Sequence, residues 1–444
     1  MPDWKFKLAH DRKPGVKPRD FSTRPQTNVN AFDFPQLCRR GMGSHGMKLH
    51  WKLPHCTTAV LAALLFGSAG KLFGAESPVV QVGNQATPTA EIDRKVSQLM
   101  NAAHVTGLGL AIIDGGQVVY LKAHGVRDRK GGQPLTEHSS MYGASFAKAV
   151  FATVVMQLVQ EGVLDLDQPI ERTLGKPLSE FPDYRDLRGD ERARTFTLRM
   201  LLSHTAGLPN WRAVMPGRKL AIQFEPGSRY AYSGEGITIA QLVVETVTKR
   251  SATALMQERI FGPLEMDRTA MVWKSAFATD LAVGHDEQEK PLGHRKWMKP
   301  GAAGSMDTCL ADYAKFITAL MQGRLMKPES FAEMTRPQIE IFSRTQFPTL
   351  STERTDENRA VGLAYGLGWG ILQRTSHGPA IFKEGHDDGW EHYSICYPRS
   401  KSAVIVMTNT SNGESIFKPL LELVTGDSSL PWRWEGYEPY DAIK

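Results

Sequence analysis

Apolar residues at Ile92, Val96, Leu99 and Met100 recur with the helical period and predict an amphipathic helix over residues 91–103. Two apolar runs follow, 107–113 and 118–123, separated by Asp114-Gly115-Gly116-Gln117, so a β-hairpin is expected there. Residues 145–162 differ from both. Phe146, Ala147, Ala149, Val150, Phe151, Val154, Val155, Met156, Leu158 and Val159 leave almost no polar face. Such a helix lies in the centre of a protein, and Gly162 closes it. Residues 163–300 mix loops punctuated by Pro and Gly with helical stretches such as 237–249 and 252–260. Another helix is predicted over 309–322. Strand-like runs at 366–372, 380–383, 393–397 and 403–409 precede a last helix over 415–424. No internal repeat is visible.

Strands joined by turns at both chain ends, with helices between, predict an α+β fold: one antiparallel β-sheet flanked by helices, with an all-helical lobe inserted. The sheet lobe is expected to draw on residues 80–150 and 305–444, and the helical lobe on 151–304. A doubly wound parallel sheet would need βα alternation throughout, which is absent.

The chain has 444 residues, 41% hydrophobic and 23% charged, with a mean hydropathy of −0.31. That excludes a disordered, collagen-like or polytopic membrane protein. The net charge of +6 is unevenly spread: residues 1–75 carry twelve Lys and Arg against Asp3, Asp11, Asp20 and Asp33. The rest of the chain is slightly acidic, so a nucleic-acid partner is not expected. Residues 1–46 read as a disordered or over-extended basic start. Residues 47–75 resemble a secretory signal peptide starting at Met42 or Met47. Lys48, His50, Lys52 and His55 precede an uncharged run over 56–70, shorter than the ~18 residues a membrane span needs. The expected location is periplasmic or secreted, with no stable membrane span in the mature form; an uncleaved anchor is the alternative.

Ser145-Phe146-Ala147-Lys148 places a hydroxyl and an amine one helical turn apart at the start of the most apolar helix. Burial disfavours the ammonium form, so a neutral Lys148 is a suitable base for the Ser145 hydroxyl. The spacing alone is weak: Ser68-Ala69-Gly70-Lys71 repeats it inside the export signal, and an N-cap serine beside a surface lysine would look the same. Three companion strings add to it. They are Leu201-Leu202-Ser203-His204-Thr205-Ala206-Gly207-Leu208-Pro209, Tyr230-Ala231-Tyr232-Ser233-Gly234, and Tyr365-Gly366-Leu367-Gly368-Trp369-Gly370.

With these strings the chain, from about residue 86 to 425, resembles the serine hydrolases of the class C β-lactamase and penicillin-binding-protein type, which include family VIII esterases and D-aminopeptidases. The resemblance implies a β-lactamase/transpeptidase-like fold and a covalent acyl-enzyme mechanism without cofactor or metal. Ser145 would be the acylated nucleophile and Lys148 its activating partner. Tyr232 would match the Tyr of the Y-x-N motif and shuttle a proton to the leaving group, with Tyr230 as rival. The third motif has two registers, Lys383-Glu384-Gly385 and His386-Asp387-Asp388. Gly389-Trp390 and Pro398 favour the first. Lys383 is then a fixed cation, Gly385 allows close approach of substrate, and the N–H groups of His386 and Ser145 form an oxyanion hole. His386 as a triad base is the competing idea.

Two departures bear on the substrate. Gly234 replaces the Asn of Y-x-N, and Glu384 replaces the Thr of K-T-G, with Asp387, Asp388 and Glu391 nearby. β-Lactams and D-alanyl termini carry a carboxylate that this rim would repel. The expected substrates are therefore small neutral or amine-bearing esters and amides, D-aminoacyl compounds included. A genuine β-lactamase or D-alanyl-D-alanine carboxypeptidase is the alternative; an inactive penicillin-binding or cell-wall-binding relative and a metal-dependent hydrolase are rivals.

Other motifs point less clearly. His285-Asp286-Glu287…His294 and His386-Asp387-Asp388…His392 lack a recognised metal-ligand spacing. Gly143-Ala144-Ser145-Phe146-Ala147 is one residue short of a nucleophile elbow and lacks its parallel sheet. Cys309 and Cys396 are either paired or buried free thiols.

Overall fold

The computed structural model describes residues 78–442, so the basic extension expected over 1–46 and the export signal expected over 47–75 lie outside the described residues. The described chain opens with a small hairpin, β1 (Val79–Val82) and β2 (Gln85–Pro88). Next come α1 (Thr89–Ala103) and the hairpin β3 (Gly107–Asp114) and β4 (Gln117–Gly125). The short strand β5 (Met141–Tyr142) leads into α2 (Phe146–Gln160). The middle holds α3 (Ile170–Leu174), α4 (Leu198–Leu202), α5 (Gly234–Thr248) and α6 (Ala252–Met256). Short strands β6 (Gly284–His285), β7 (Pro291–Gly293) and β8 (Asp307–Thr308) follow. After α7 (Leu310–Met321) and α8 (Pro328–Thr335) come β9 (Ile339–Glu340), β10 (Leu363–Tyr365) and β11 (Gly370–Thr375). The chain ends with β12 (Gly378–Asp387), β13 (Trp390–Tyr397), β14 (Ser402–Thr408), α9 (Phe417–Thr425) and α10 (Trp432–Glu435).

Eight strands form one antiparallel sheet in the order β4-β3-β14-β13-β12-β11-β10-β9. The architecture is α+β, an antiparallel sheet flanked by helices. Both faces of its centre are dry, because successive side chains of a strand point to opposite sides. In β3, Leu108, Leu110 and Ile112 join the core that contains α1 and α9, while Ala111 and Ile113 join the core that contains α2 and α7. β14 repeats this with Val404 and Val406 against Ala403, Ile405 and Met407. Such strands read as continuous apolar runs, which is why the pattern revealed them.

Helix α2 is buried through Phe146–Met156, each large apolar side chain contributing roughly 1.5–3 kcal/mol. Lys148 sits on that helix and is equally buried.

The structure corrects several boundaries. The run expected as one strand over 366–372 is the turn that follows β10 and then the start of β11. Gly366 N–H donates to the Trp369 carbonyl at 2.8 Å, and Gly368 turns with φ +81° while packing against Ala152 of α2. The two glycines outweigh the apolar residues around them. Strand β12 runs on past Lys383 to Asp387, paired with β13 throughout although its sequence has turned polar. The predicted helix 252–260 is α6 followed by a wider, π-type turn over Gln257–Phe261. Cys309 and Cys396 are free and buried, so the disulfide alternative is not realised.

Candidate active site

Ser145 stands at the mouth of α2. The turn before it is held by Gly143 N–H donating to the Met306 carbonyl (2.8 Å) and Phe146 N–H to the Gly143 carbonyl (3.0 Å). Ala144 between them has φ +45°, a left-handed conformation that a residue with a Cβ adopts only where its surroundings impose it. Ser145 occupies the N-cap position of α2 yet its hydroxyl makes no capping bond. Instead Lys148 Nζ, one turn on, donates to Ser145 Oγ at 2.8 Å, and also to the Ala303 carbonyl. Burial holds the Lys148 amine well below the ordinary lysine value, and the nearby Lys383 charge lowers it further.

Tyr232 arrives from the segment before α5, whose first turn is capped by Ser233 Oγ accepting from Gly236 N–H at 2.9 Å. Its ring lies between two amines, 4.9 Å from Lys148 Nζ and 5.1 Å from Lys383 Nζ. Lys383 Nζ donates to the Tyr232 hydroxyl at 3.3 Å. Burial raises the phenol well above 10, and the Glu384 carboxylate adds to this. The structure thus gathers Ser145, Lys148, Tyr232 and Lys383 around one point. Tyr230, the rival phenol, packs instead between Tyr365 and Trp434, at ring distances of 5.1 and 6.1 Å.

Lys383 lies on β12, and β11 pairs with that strand only as far as Phe382. Beyond that point the edge is open, and Glu384 curls round it. Glu384 Oε1 accepts from Lys383 Nζ at 2.9 Å and from Gln346 Nε2 at 3.1 Å. Burial lowers the Lys383 amine, against the pull of Glu384. Gly385 lets β12 lie directly on the serine turn, since a Cβ there would stand 2.8 Å from the Gly143 carbonyl oxygen. The His386 ring is 55% exposed, with Nδ1 against Glu391 Oε2. The covered part of the ring opposes a charge, but the Glu391 carboxylate overrides it and pushes His386 up to about 10. It is a held cation rather than a free base. Gly234 opens α5 beneath the Trp211 indole.

Several neighbours had no usable signal in the sequence. Gln346 and the Ala303 carbonyl come from distant loops. His204 belongs to one of the distinctive strings, where it reads as structural. It is buried with its ring 4.4 Å from that of Tyr232, and its Nδ1 accepts from Ser233 N–H at 3.2 Å. Burial, with the Lys383 charge nearby, holds it well below the ordinary histidine value. Two histidines of the two sketched metal clusters hold the backbone, while His294 Nε2 lies 2.9 Å from Asp307 Oδ1 and His386 lies against Glu391. His285 bonds the Asn409 carbonyl and Arg129 N–H, and His392 the Tyr142 carbonyl and Thr408 N–H.

The Beta-lactamase family matches residues 92–425, and the chain belongs to that family. Esterase EstB of Burkholderia gladioli is 28% identical over 237 residues, covering 47% of this chain and 58% of EstB, so the chain spans little more than half the length of that relative. Penicillin-binding protein 4 of Amycolatopsis lactamdurans is 24% identical over 357 residues, covering 76% of this chain and 90% of that protein. The octameric penicillin-binding protein homologue from Pyrococcus abyssi shares the fold, with a TM-score of 0.62 at 21% identity over 78% of this chain and 79% of that one. Among the described residues no helix is long and apolar enough to cross a membrane.

Proposed function

We propose that the protein is a serine hydrolase that works through an acyl-enzyme on small esters and amides without a carboxylate. The observation that carries this is the buried Lys148 amine 2.8 Å from Ser145 Oγ. Ser145 Oγ attacks the acyl carbon and its proton passes to neutral Lys148. The oxyanion is met by the N–H groups of Ser145 and His386 at the helix mouth and strand edge. The bond to the leaving oxygen or nitrogen then breaks, and Tyr232 gives that atom its proton; a phenol held so far above neutrality is a donor, not a phenolate base. The proton on Lys148 returns to Tyr232. Water then attacks the acyl carbon, passes a proton back to Ser145 Oγ through the same pair, and releases the acid. No cofactor enters these steps. The leader-like segment over 47–75 supports a periplasmic or secreted location.

The substrate preference follows from charge matching. Of the four rim carboxylates, Glu384 is spent on Lys383 and Glu391 on His386. Repulsion of a substrate carboxylate is thus weaker than the sequence implies. The decisive feature is instead that the Lys383 charge is already answered. A carboxylate-bearing substrate would have to displace Glu384 to gain an ion pair. Comparison of kcat/KM for p-nitrophenyl acetate, D-alanine p-nitroanilide and a chromogenic cephalosporin tests the reading. The cephalosporin is expected last, and its ranking first would overturn it. Glu384→Gln frees Lys383 and should raise kcat/KM for the cephalosporin relative to the acetate by about tenfold.

The pH profile carries a sign. Activity rises as Lys148 loses its proton, so this step forms the acidic limb of kcat/KM. Lys383→Met removes a charge that favours the neutral amine and leaves Glu384, which favours the ammonium, without its partner. The limb should move to higher pH. An unmoved limb would show that it belongs to another group.

A further inference from the structure

The loop before α5 is fixed to that helix by a dense set of bonds. Ser233 Oγ donates to the Pro209 carbonyl at 2.8 Å, and Gly234 N–H to Asn210 Oδ1 at 3.0 Å. Glu235 N–H donates to the Asn210 carbonyl at 3.0 Å. Arg212 N–H reaches Glu235 Oε1 at 2.8 Å, and the Arg212 guanidinium forks onto the same buried carboxylate, with Nη2 at 2.7 Å from Oε2. A bidentate pair of this kind fixes geometry as well as charge.

Between these anchors lies Trp211. Its Cη2, Cζ2 and Cζ3 stand 2.5–2.7 Å from where a Cβ on Gly234 would be, so the missing side chain makes the indole's seat. Trp211 remains 41% exposed. An exposed tryptophan is ordinary; one seated on Gly234, two residues beyond Tyr232, is not. Phe347, itself partly exposed, meets the Tyr232 ring edge-on at 5.9 Å. The charges at hand are matched, Arg212 by Glu235 and Lys383 by Glu384.

We propose that Trp211, together with Phe347, forms the seat for a flat, uncharged aryl or arylmethyl group on the alcohol side of an ester, making Trp211 a specificity-determining residue. The inference rests on the acyl-enzyme reading: the phenol that protonates the departing oxygen lies beside the departing alcohol, so the aromatic surfaces near that phenol border the alcohol too. An aromatic contact of this kind discriminates by roughly two- to tenfold.

The test compares benzyl acetate with methyl acetate by acid release. In Trp211→Ala the benzyl-to-methyl ratio of kcat/KM is expected to fall roughly two- to tenfold. Gly234→Ala, whose Cβ evicts the ring, should lower it likewise, and Trp211→Phe should retain most of it. An unchanged ratio in Trp211→Ala overturns the inference. Ser145→Ala separates the two ideas: esterase activity that survives it sinks the acyl-enzyme reading, whereas activity lost with it alongside an unchanged Trp211→Ala ratio sinks only the seat. Calorimetry of benzyl alcohol on Ser145→Ala and on Ser145→Ala/Trp211→Ala reads the seat without turnover. Weaker binding without the ring is expected, and equal affinities overturn the proposal. Matching unfolding midpoints exclude a folding defect.

Discussion

Ser145→Ala is expected to lower kcat/KM for p-nitrophenyl acetate by roughly 10⁴-fold or more, because removing a covalent nucleophile removes the route and not merely a contact. The unfolding midpoint should stay within about 2 °C of the parent. That second expectation comes from the cap of α2. Its first turn receives no hydrogen bond from the Ser145 side chain, so the ~1 kcal/mol lost on deleting a capping hydroxyl does not apply. A fluorescent phosphonate should label the parent at Ser145 and leave the variant unlabelled. Parent-like turnover in the variant would remove Ser145 from the chemistry altogether.

Lys148→Met is expected to cost roughly 10³-fold in kcat/KM, the scale of a positioned general base. Methionine fills much the same volume in the apolar surroundings of α2, so the change isolates the amine. It leaves the Ala303 carbonyl without the donor it has now, at about 1–3 kcal/mol. Against this stands relief from desolvating an amine, which at neutral pH works against the folded state. Rates measured beside the unfolding midpoint separate the two effects. A loss of less than tenfold with the fold intact would mean that another group takes the serine proton.

How far the sequence spoke depended on the kind of residue. Strands β3 and β14 were visible because both of their faces are dry. Helix α2 was visible because Phe146, Val150, Phe151 and Val154 leave it no wet side. The short hairpin of β1 and β2 was missed, since Val79–Val82 and Gln85–Pro88 are too brief to form a pattern. Glu384–Asp387 was cut from its strand because a polar run at an open edge looks like a loop. In the site, Ser145 and Lys148 share a helix and so share a readable spacing. Tyr232 and Lys383 needed the resemblance to connect them, since nothing local ties residues 151 positions apart. The pairing of Glu384 with Lys383 was illegible for a further reason. Alternation along a strand sends neighbours to opposite faces, and only the missing partner strand beyond Phe382 lets the carboxylate turn back.

The register between β3 and β14, Leu108 against Thr408 through Ile113 against Ala403, has a consequence for biosynthesis. The strands made first acquire their inner neighbour only when the last part of the chain emerges. Until then the hydrophobic faces of Gly107–Asp114 and of the serine-bearing helix wait unsealed. Closure is therefore a late, long-range event, slow and open to aggregation. A chain that stops short of Ser402 would be left with a torn sheet and a sticky intermediate, not a smaller enzyme.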